Sequence, residues 1–222
     1  MNNAKVLHVY SGGLDSTVLL YQLLEADNND VECINFHYGS NHNISERRSA
    51  ERICRGLGIE LMQISLDFIP KYFKSSLLSG SDAIPEGAYD GENMRSTVVP
   101  FRNAIMLSIA TGVAESKDMD VISIAAHAGD HYIYPDCRPA FLDSMQDAIR
   151  EGTQKGIQLH APFYNIDKAE IIRIGSTLGV PLGNTYSCYK GGLYHCGKCG
   201  ACDERKASFA KAGVTDSTMY RE

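Results

Sequence analysis

Six residues near the N-terminus have the composition of a turn that binds anions. The turn follows a short apolar run and opens a helical segment, and it consists of Ser11, Gly12, Gly13, Leu14, Asp15 and Ser16. Glycine lets the backbone bend sharply and bring its N–H groups against an anion, to which the helix N-terminus adds a favourable partial charge. Asp15 is out of place in a pure anion site, so we expect Mg²⁺ to accompany a polyphosphate there. An ordinary glycine turn that caps a helix is the alternative.

A second set of reactive residues lies near the C-terminus, where four of the seven cysteines cluster. These are Cys188, Cys196, Cys199 and Cys202, with seven, two and two residues between successive members. Four thiolates suit a tetrahedral Zn²⁺ in a structural site, which supplies folding free energy to a segment too small for its own core. A redox pair, an iron–sulfur cluster and unligated thiols are the alternatives, and the fourth cysteine argues against a redox pair.

Two further helix starts carry basic residues that can face an anion. Arg102 and Asn103 begin an apolar helix after a loop rich in Gly, Ser and Asp (79–96). Lys168 lies in the first turn of a later helix, where a cation opposes the helix dipole unless an anion is bound. We therefore expect Arg102 to neutralise a phosphate or a carboxylate and Lys168 to contact the phosphates of ATP. Ordinary surface positions are the alternative for both residues.

The middle of the chain supplies the parts of a pocket for a flat heterocycle. His127 and Asp130 follow a predicted strand, so they belong to the same carboxyl rim of the sheet as the glycine turn. Tyr134, Asp136 and Arg138 combine an aromatic face, a carboxylate and a guanidinium within five residues. A ring can stack on the tyrosine, a guanine-like N–H edge can donate to the carboxylate, and the arginine can fork onto a substrate acid. Solvated loop side chains are the alternative for His127 and Asp130.

The elements that must position these residues alternate between short apolar runs and segments of helical period. Strands are predicted near 5–10, 31–37, 60–65 and 121–126, and helices near 16–25, 45–57, 102–114, 139–151, 168–178 and 201–211. This alternation predicts the α/β class, with a Rossmann-like parallel sheet and helices on both faces. The rhythm stops near residue 183, which predicts an α/β domain over 1–182 and a small zinc-binding appendage over 183–222.

Composition excludes several classes of function. The 222 residues carry a net charge of −6, which argues against broad adhesion to nucleic acid or to anionic lipid. The longest mainly apolar stretch, 104–114, has 11 residues, well short of the roughly 18 that a membrane span requires. The sequence does not begin with a secretory signal, and an odd number of cysteines argues against a disulfide framework. A cytoplasmic location is therefore expected.

The glycine turn is similar to the SGGxDS loop of the N-type ATP pyrophosphatases, which hold the β,γ-pyrophosphate of ATP there and form adenylates. Together with 99–103, 134–138, 167–171 and the four late cysteines, it resembles the 7-cyano-7-deazaguanine synthases of the queuosine pathway. The match runs in order over nearly the whole chain. The chain departs from the family pattern at Phe101, where glycine is common, and over 127–130, where an acidic stretch is common.

The resemblance implies a ligase that uses ATP to convert 7-carboxy-7-deazaguanine and ammonia into the nitrile, through an adenylated acid and an amide. It implies ATP and Mg²⁺ at the glycine turn, where Asp15, Arg102 and Lys168 act on the phosphates, and Zn²⁺ at the four cysteines. The expected substrate contacts are Asn103, His127, Asp130, Tyr134, Asp136 and Arg138. A homodimer without direct nucleic-acid contact is also implied. The alternatives are a tRNA-thiolating or other adenylating enzyme that uses Cys137, a synthase that stops at the amide, and a non-enzymatic zinc module that binds nucleic acid.

Overall fold

The computed structural model describes residues 3–26, 29–81 and 83–221. Five parallel strands form one sheet in the order β3-β2-β1-β4-β5. The strands are β1 (Lys5–Val9), β2 (Asp30–His37), β3 (Leu61–Ser65), β4 (Val121–Ser123) and β5 (Gln158–His160). The chain moves outward from β1 to β3 and then returns across β1 to β4, so the strand order reverses at β1. Such a switch point is where α/β sheets bind ligands, at the carboxyl ends of the strands.

Helices cover both faces of this sheet. They are α1 (Leu14–Glu25), α2 (Asn43–Leu57), α3 (Ile69–Tyr72), α4 (Arg102–Ser116), α5 (Pro139–Gly152), α6 (Lys168–Thr177) and α7 (Gly200–Ala212). Successive strand residues point to opposite faces, which creates two apolar clusters. Leu7 and Ile122 pack with α4 and α5, whereas Val6 and Val121 pack with α1 and α6. The predicted α/β class with helices on both faces of a parallel sheet is confirmed.

Two elements lie outside the predicted set, β5 and α3. The strand β5 pairs with β4 through only three residues, of which Leu159 alone is strongly apolar, so it has no period-2 pattern. The helix α3 has four residues and is too short to show a helical period. The strand β4 ends at Ser123, before the predicted limit of 126, because residues 124–126 leave the strand and line the cavity described below.

The C-terminal segment is attached to the sheet domain through α7. This helix packs on α6, and its Phe209 belongs to the same apolar cluster as Leu182. The buried Arg205 of α7 donates to the Leu182 carbonyl oxygen and to Thr185 Oγ1. Apolar and polar contacts therefore both hold the segment in place. The predicted domain boundary after residue 182 stays a prediction.

The segment Asn93–Ser116 is long and apolar enough to cross a membrane, by length and composition alone. In the fold it consists of a 3-10 turn (Asn93–Thr97) and α4, and the chain between them passes through a left-handed residue, Phe101 (φ 56°). The helix α4 packs against β1 and β4, and its Leu107 and Ala110 are fully buried. The segment thus contains the central core helix on one face of the sheet.

Candidate active site and metal centre

The glycine turn connects the end of β1 to the start of α1, at the carboxyl edge of the sheet. Gly12 has a left-handed backbone (φ 82°), and a Cβ atom there would lie 2.6 Å from the backbone N of Ala50 in α2. Glycine is therefore required for this close approach of α2. The hydroxyls of Ser11 and Ser16 are 3.0 Å apart, and the Gly13 N–H donates to Ser11 Oγ. The turn thus presents two hydroxyls at the N-terminus of α1, where an anion is favoured.

A cavity of about 230 Å³ opens over this turn. The predicted site residues that line it are Ser11, Gly13, Leu14, Asp15, Ser16, Arg102, Asn103, His127, Asp130, Tyr134 and Lys168. Gly12, Asp136 and Arg138 are also described by the structure, but they lie outside the lining. The sheet topology therefore brings the glycine turn, the start of α4, the start of α6 and the loop after β4 to one cavity.

One wall of the cavity is a charged cluster formed by Asp15, His127, Asp130, Lys168 and Glu204. The Lys168 ammonium donates to Glu204 Oε2 and lies 3.5 Å from Asp15 Oδ2. His127 Nε2 is 3.5 Å from Asp130 Oδ1 and 3.9 Å from Asp15 Oδ2. Because His127 Nδ1 accepts a backbone N–H, the proton of the neutral ring lies on Nε2 and faces these carboxylates.

The charges in this cluster suit a divalent cation together with a phosphate. Burial alone would lower the pKa of Lys168, but the carboxylates of Asp15 and Glu204 outweigh burial and raise it above its usual range. The ammonium therefore stays charged. Asp15 Oδ1 is buried and accepts no hydrogen bond from the described residues. Because three carboxylates surround one ammonium, a further cation beside Asp15 fits the donor set, and carboxylate oxygens are ligands that Mg²⁺ takes.

Asp136 and Arg138 lie outside the cavity lining and are hydrogen-bonded to other residues of the chain. Asp136 Oδ2 accepts the backbone N–H of Asn103 at 2.8 Å, at the start of α4. The Asn103 side-chain amide donates back to the Asp136 carbonyl oxygen and to Cys137 Sγ. Arg138 is exposed, and its Nε donates to the carbonyl oxygen of His131. Asp136 therefore fixes the first turn of α4, and Arg138 lies on the surface.

A second wall consists of Tyr38, His42, Glu46 and Arg102, which we call the Glu46 group. Arg102 donates to the Tyr38 hydroxyl at 3.1 Å, and that hydroxyl is 3.3 Å from His42 Nε2. Burial raises the pKa of Glu46 to about 8, although the Arg102 guanidinium opposes the shift. Burial also lowers the pKa of His42 to about 4, with a further contribution from Arg102. At neutral pH this wall therefore combines a charged arginine with a largely protonated glutamate and a neutral histidine.

Phe101 occupies the position before Arg102 where the resembling family commonly has glycine. Its φ of 56° lies in the left-handed region, which favours glycine because glycine lacks a Cβ atom. The side chain is exposed, and its ring meets Phe141 edge-on with 6.1 Å between centroids. The departure from glycine is thus accommodated at the surface, and Arg102 still reaches the cavity.

Several residues of the cavity wall were not predicted from the sequence. They include Tyr38, His42, Glu46, Tyr89, Tyr189 and Glu204. Tyr89 lies in the loop rich in Gly, Ser and Asp (79–96), and its hydroxyl donates to Asp130 Oδ1 at 3.0 Å. Glu46 lies in the first turn of α2, the helix that follows β2, and Glu204 follows Cys202 by two residues. Those positions were the only sequence signals for the two carboxylates.

The four C-terminal cysteines form a compact, buried centre. All four Sγ atoms lie within 4.8 Å of one another. The Sγ atoms of Cys196 and Cys202 are 3.9 Å apart, and those of Cys188 and Cys199 are 4.0 Å apart. A tetrahedral Zn²⁺ with bonds of about 2.3 Å places its sulfurs roughly 3.8 Å apart, whereas a disulfide needs about 2.05 Å. The geometry therefore fits a tetrahedral metal ion bound by four thiolates.

The helix α7 connects this centre to the cavity. Cys202 lies in its first turn, and Glu204 and Arg205 follow directly. Glu204 reaches the Lys168 ammonium in the charged cluster. Arg205 donates to Thr185 Oγ1 at 3.0 Å and to Ser187 Oγ at 2.9 Å, in the segment that covers the glycine turn. A metal ion that ordered the start of α7 would therefore also order the charged cluster, through Glu204, and the segment over the glycine turn, through Arg205.

Fold and site together define a class of protein. It is an α/β protein with a parallel sheet whose first strand leads into a Ser-Gly-Gly-Leu-Asp-Ser turn at the edge of a cavity. The solved structure of the U34-tRNA thiolase NcsA from Methanococcus maripaludis, with its 4Fe-4S cluster, matches with a TM-score of 0.51 and 17% identity. The match covers 96% of this chain and 67% of the thiolase chain. At this identity the likeness concerns the fold alone.

The chain matches the family described as queuosine biosynthesis protein QueC over residues 5–213, and it belongs to this family. Relatives named 7-cyano-7-deazaguanine synthase are 50% identical over 214 residues in Porphyromonas gingivalis and 46% identical over 212 residues in Desulfotalea psychrophila. Both alignments cover 96% of this chain and 96% of the relative. A relative with the same name from Allorhizobium ampelinum is 44% identical over 98% of this chain and 93% of its own length. The chain is thus a ligase-type enzyme of queuosine biosynthesis.

Proposed function

We propose that the chain converts 7-carboxy-7-deazaguanine and ammonia into 7-cyano-7-deazaguanine at the expense of ATP. The observation that carries this proposal is a single cavity lined by the glycine turn and Lys168 and also by aromatic side chains, Arg102 and Glu46. The first set suits a polyphosphate, and the second suits a flat, polar heterocycle. The names of the curated relatives support the same reaction.

The first half of the reaction turns the acid into an amide. A carboxylate oxygen of the substrate attacks the α-phosphorus of ATP, the bond to the bridging oxygen breaks, and pyrophosphate leaves. Ammonia then adds to the acyl carbon of the adenylate, loses a proton and expels AMP, which keeps the substrate oxygen. Adenylation is needed because a free carboxylate is a poor electrophile.

The second half removes the remaining oxygen. The amide oxygen attacks the α-phosphorus of a second ATP, and pyrophosphate leaves again. Loss of AMP and of the two protons on nitrogen leaves the carbon–nitrogen triple bond. Each nitrile therefore requires two ATP and releases two AMP, and no oxidant or reductant takes part.

The residues of the charged cluster act mainly through position and charge. Lys168 and the N–H groups of the glycine turn neutralise the leaving pyrophosphate, which is the largest single contribution that such sites make. Bound beside Asp15, Mg²⁺ would supply further positive charge to the phosphate oxygens. His127, with its proton on Nε2, keeps Asp15 and Asp130 apart and oriented. Binding both substrates in one cavity aligns the attacking oxygen with the α-phosphorus.

The substrate acid needs a cationic partner in the cavity. Arg102 is the guanidinium that lines it, and Asn103 and Tyr134 lie beside Arg102 on the same wall. Arg138, which was predicted for this role, lies on the surface. In this proposal the substrate carboxylate binds Arg102. Whether Arg138 contributes to substrate binding is tested by substitution.

The four-cysteine centre holds Zn²⁺ in this proposal. Four thiolates without an open position make a structural site, so the metal orders the start of α7 and takes no part in the chemistry. The 183–222 segment would then be the zinc-binding appendage of the 1–182 domain. The proposed enzyme is a cytoplasmic homodimer. It uses free ammonia and does not bind nucleic acid.

The cysteine that lines the cavity is poorly suited to a thiolating mechanism. Cys137 lines the cavity, but burial raises the pKa of its thiol well above the usual range, and the Asn103 amide donates to its sulfur. A protonated, buried thiol is a poor nucleophile and a poor carrier of a persulfide. We therefore propose no role for Cys137 beyond the packing of the cavity wall.

The proposal is tested by incubating the purified protein with ATP, Mg²⁺, ammonium and 7-carboxy-7-deazaguanine. We expect nitrile to accumulate with two AMP for each molecule formed, as measured by mass spectrometry and nucleotide chromatography. Accumulation of amide with one AMP would limit the chain to the first half of the reaction. If folded protein that binds ATP produced neither amide nor nitrile, the proposal would be wrong.

A further inference from the structure

Four carboxylates line the cavity, and three of them have a close side-chain partner. Asp15 and Glu204 face the Lys168 ammonium, and Asp130 accepts the Tyr89 hydroxyl. Glu46 accepts no hydrogen bond from the described residues, and the Arg102 guanidinium acts on it only through its charge. His42 Nε2 lies 3.7 Å from Glu46 Oε2, too far for a hydrogen bond.

The hydrogen bonds around His42 show that this ring has no proton to offer to Glu46. His42 Nδ1 donates to the Tyr189 carbonyl oxygen, which can only accept, so the single proton of the neutral ring lies there. His42 Nε2 therefore carries a lone pair. Arg102 donates to the Tyr38 hydroxyl, and that hydroxyl in turn donates to His42 Nε2. Neither His42 nor the Tyr38 hydroxyl therefore has a proton for the Glu46 carboxyl, which lines the cavity.

The cavity that Glu46 lines has several aromatic side chains. Phe36, Tyr38, Tyr89 and Tyr189 all belong to its lining. Aromatic walls suit a planar ring, and a carboxylate can accept two parallel N–H bonds in its plane. Burial raises the pKa of Glu46, and a pair of N–H donors from a bound ring would favour its ionised form.

We propose that Glu46 is the residue that selects the deazaguanine ring, by accepting its ring N–H and its exocyclic amino N–H in a bidentate pair. The inference rests on the proposed function, since it takes the ligand to be a 2-amino-4-oxo heterocycle. The sequence assigned this contact to Asp136, but Asp136 accepts the Asn103 N–H and lies outside the cavity lining. Glu46 is the carboxylate that faces the ring without a competing partner.

The test is a binding measurement that needs no turnover. Calorimetry compares 7-carboxy-7-deazaguanine with the analogue that lacks the exocyclic amino group, in the wild-type protein and in Glu46→Gln. The wild type is expected to prefer the parent compound by about 10- to 100-fold, the range of one bidentate pair. In Glu46→Gln the preference is expected to fall below about threefold, because the amide places its own N–H against a donor. The Kd of MgATP is expected to be the same in both proteins.

Glu51→Gln is the matched control, since Glu51 lies on the same helix, near the surface and outside the cavity lining. It should keep the wild-type preference. Glu46→Asp keeps the carboxylate but shortens the side chain by one methylene. This variant should bind both compounds more weakly and still prefer the parent compound. An unchanged preference in Glu46→Gln, or a complete loss of the preference in Glu46→Asp, would overturn the proposal. Because these are binding data, they remain decisive even if the wild type makes no nitrile.

Discussion

The two walls of the cavity differ in the charge state of their ionisable side chains. In the charged cluster, Lys168 stands between Asp15 and Glu204, and all three can exchange partners with an incoming ion. In the Glu46 group, the only charge at neutral pH is on Arg102, and burial keeps Glu46 largely protonated. The first wall is suited to a highly charged ligand that enters and leaves with a metal ion. The second is suited to a neutral ring that is recognised by its edge.

The largest effect is expected from Asp15→Asn in the charged cluster. The substitution keeps the shape of the side chain but removes the charge that Lys168 faces and that the proposed metal ion would need. We expect AMP formation to fall by about 10³-fold, the upper range for loss of one electrostatic contact, with an unchanged melting temperature. Asp143→Asn, an exposed position on α5, is the control and should be fully active. Retained turnover in Asp15→Asn would remove the charged cluster from the mechanism.

The next effect tests the metal ion proposed for the four cysteines. Cys199→Ser is expected to lose the bound zinc, as seen by native mass spectrometry, and to lower the melting temperature by roughly 10 °C. The wild-type protein treated with a chelator should melt at the same temperature as the variant. Unchanged metal content in Cys199→Ser would contradict the four-cysteine assignment.

Glu204→Gln tests whether the charged cluster depends on a tether from α7. Without the Glu204 carboxylate, the Lys168 ammonium is expected to move onto Asp15 and to compete there with Mg²⁺. We predict a fall in rate of about 10-fold that higher Mg²⁺ partly restores. Asp203→Asn, at the exposed neighbouring position, is the control. A loss of rate that Mg²⁺ does not influence would indicate a packing role for Glu204.

Glu46→Gln tests the other wall through the pH dependence of stability. The pKa of Glu46 is raised by burial from 4.5 to about 8, so the folded protein binds a proton that the unfolded chain has released between these values. Wild-type stability therefore declines as pH rises from about 4.5 to about 8. We predict that Glu46→Gln matches the wild type near pH 4.5 and exceeds it by on the order of 2 kcal/mol above pH 8, as measured by urea unfolding. Identical curves would show that Glu46 is already ionised and satisfied.

The smallest effect is expected from Arg138→Met. Because Arg138 is exposed and bonded to the His131 carbonyl oxygen, the KM for the deazapurine should change by less than about twofold. Arg102→Met is the matched comparison, and we expect it to raise that KM by at least about 10-fold. A large effect at Arg138 and none at Arg102 would restore the prediction made from the Tyr134 to Arg138 segment.

The sequence predicted the features that are local in the chain. The glycine turn and the four cysteines are compact patterns, and the alternation of apolar runs with helical segments predicted the parallel sheet correctly. The Glu46 group and Glu204 could not be found in this way, because their roles arise from distant segments that meet only in the fold. Asp136 shows the converse: its residue type suggested a ligand contact, but the backbone N–H of Asn103 is its partner.

The most direct test of the account follows the substrate oxygens. Both oxygens of 7-carboxy-7-deazaguanine are labelled with ¹⁸O, and AMP and pyrophosphate are analysed by mass spectrometry after turnover with ammonium. Attack on the α-phosphorus in both halves of the reaction predicts one ¹⁸O in each AMP and none in pyrophosphate. Formation of ADP with labelled phosphate, or of unlabelled AMP, would contradict the central claim that this cavity activates the acid and the amide as adenylates.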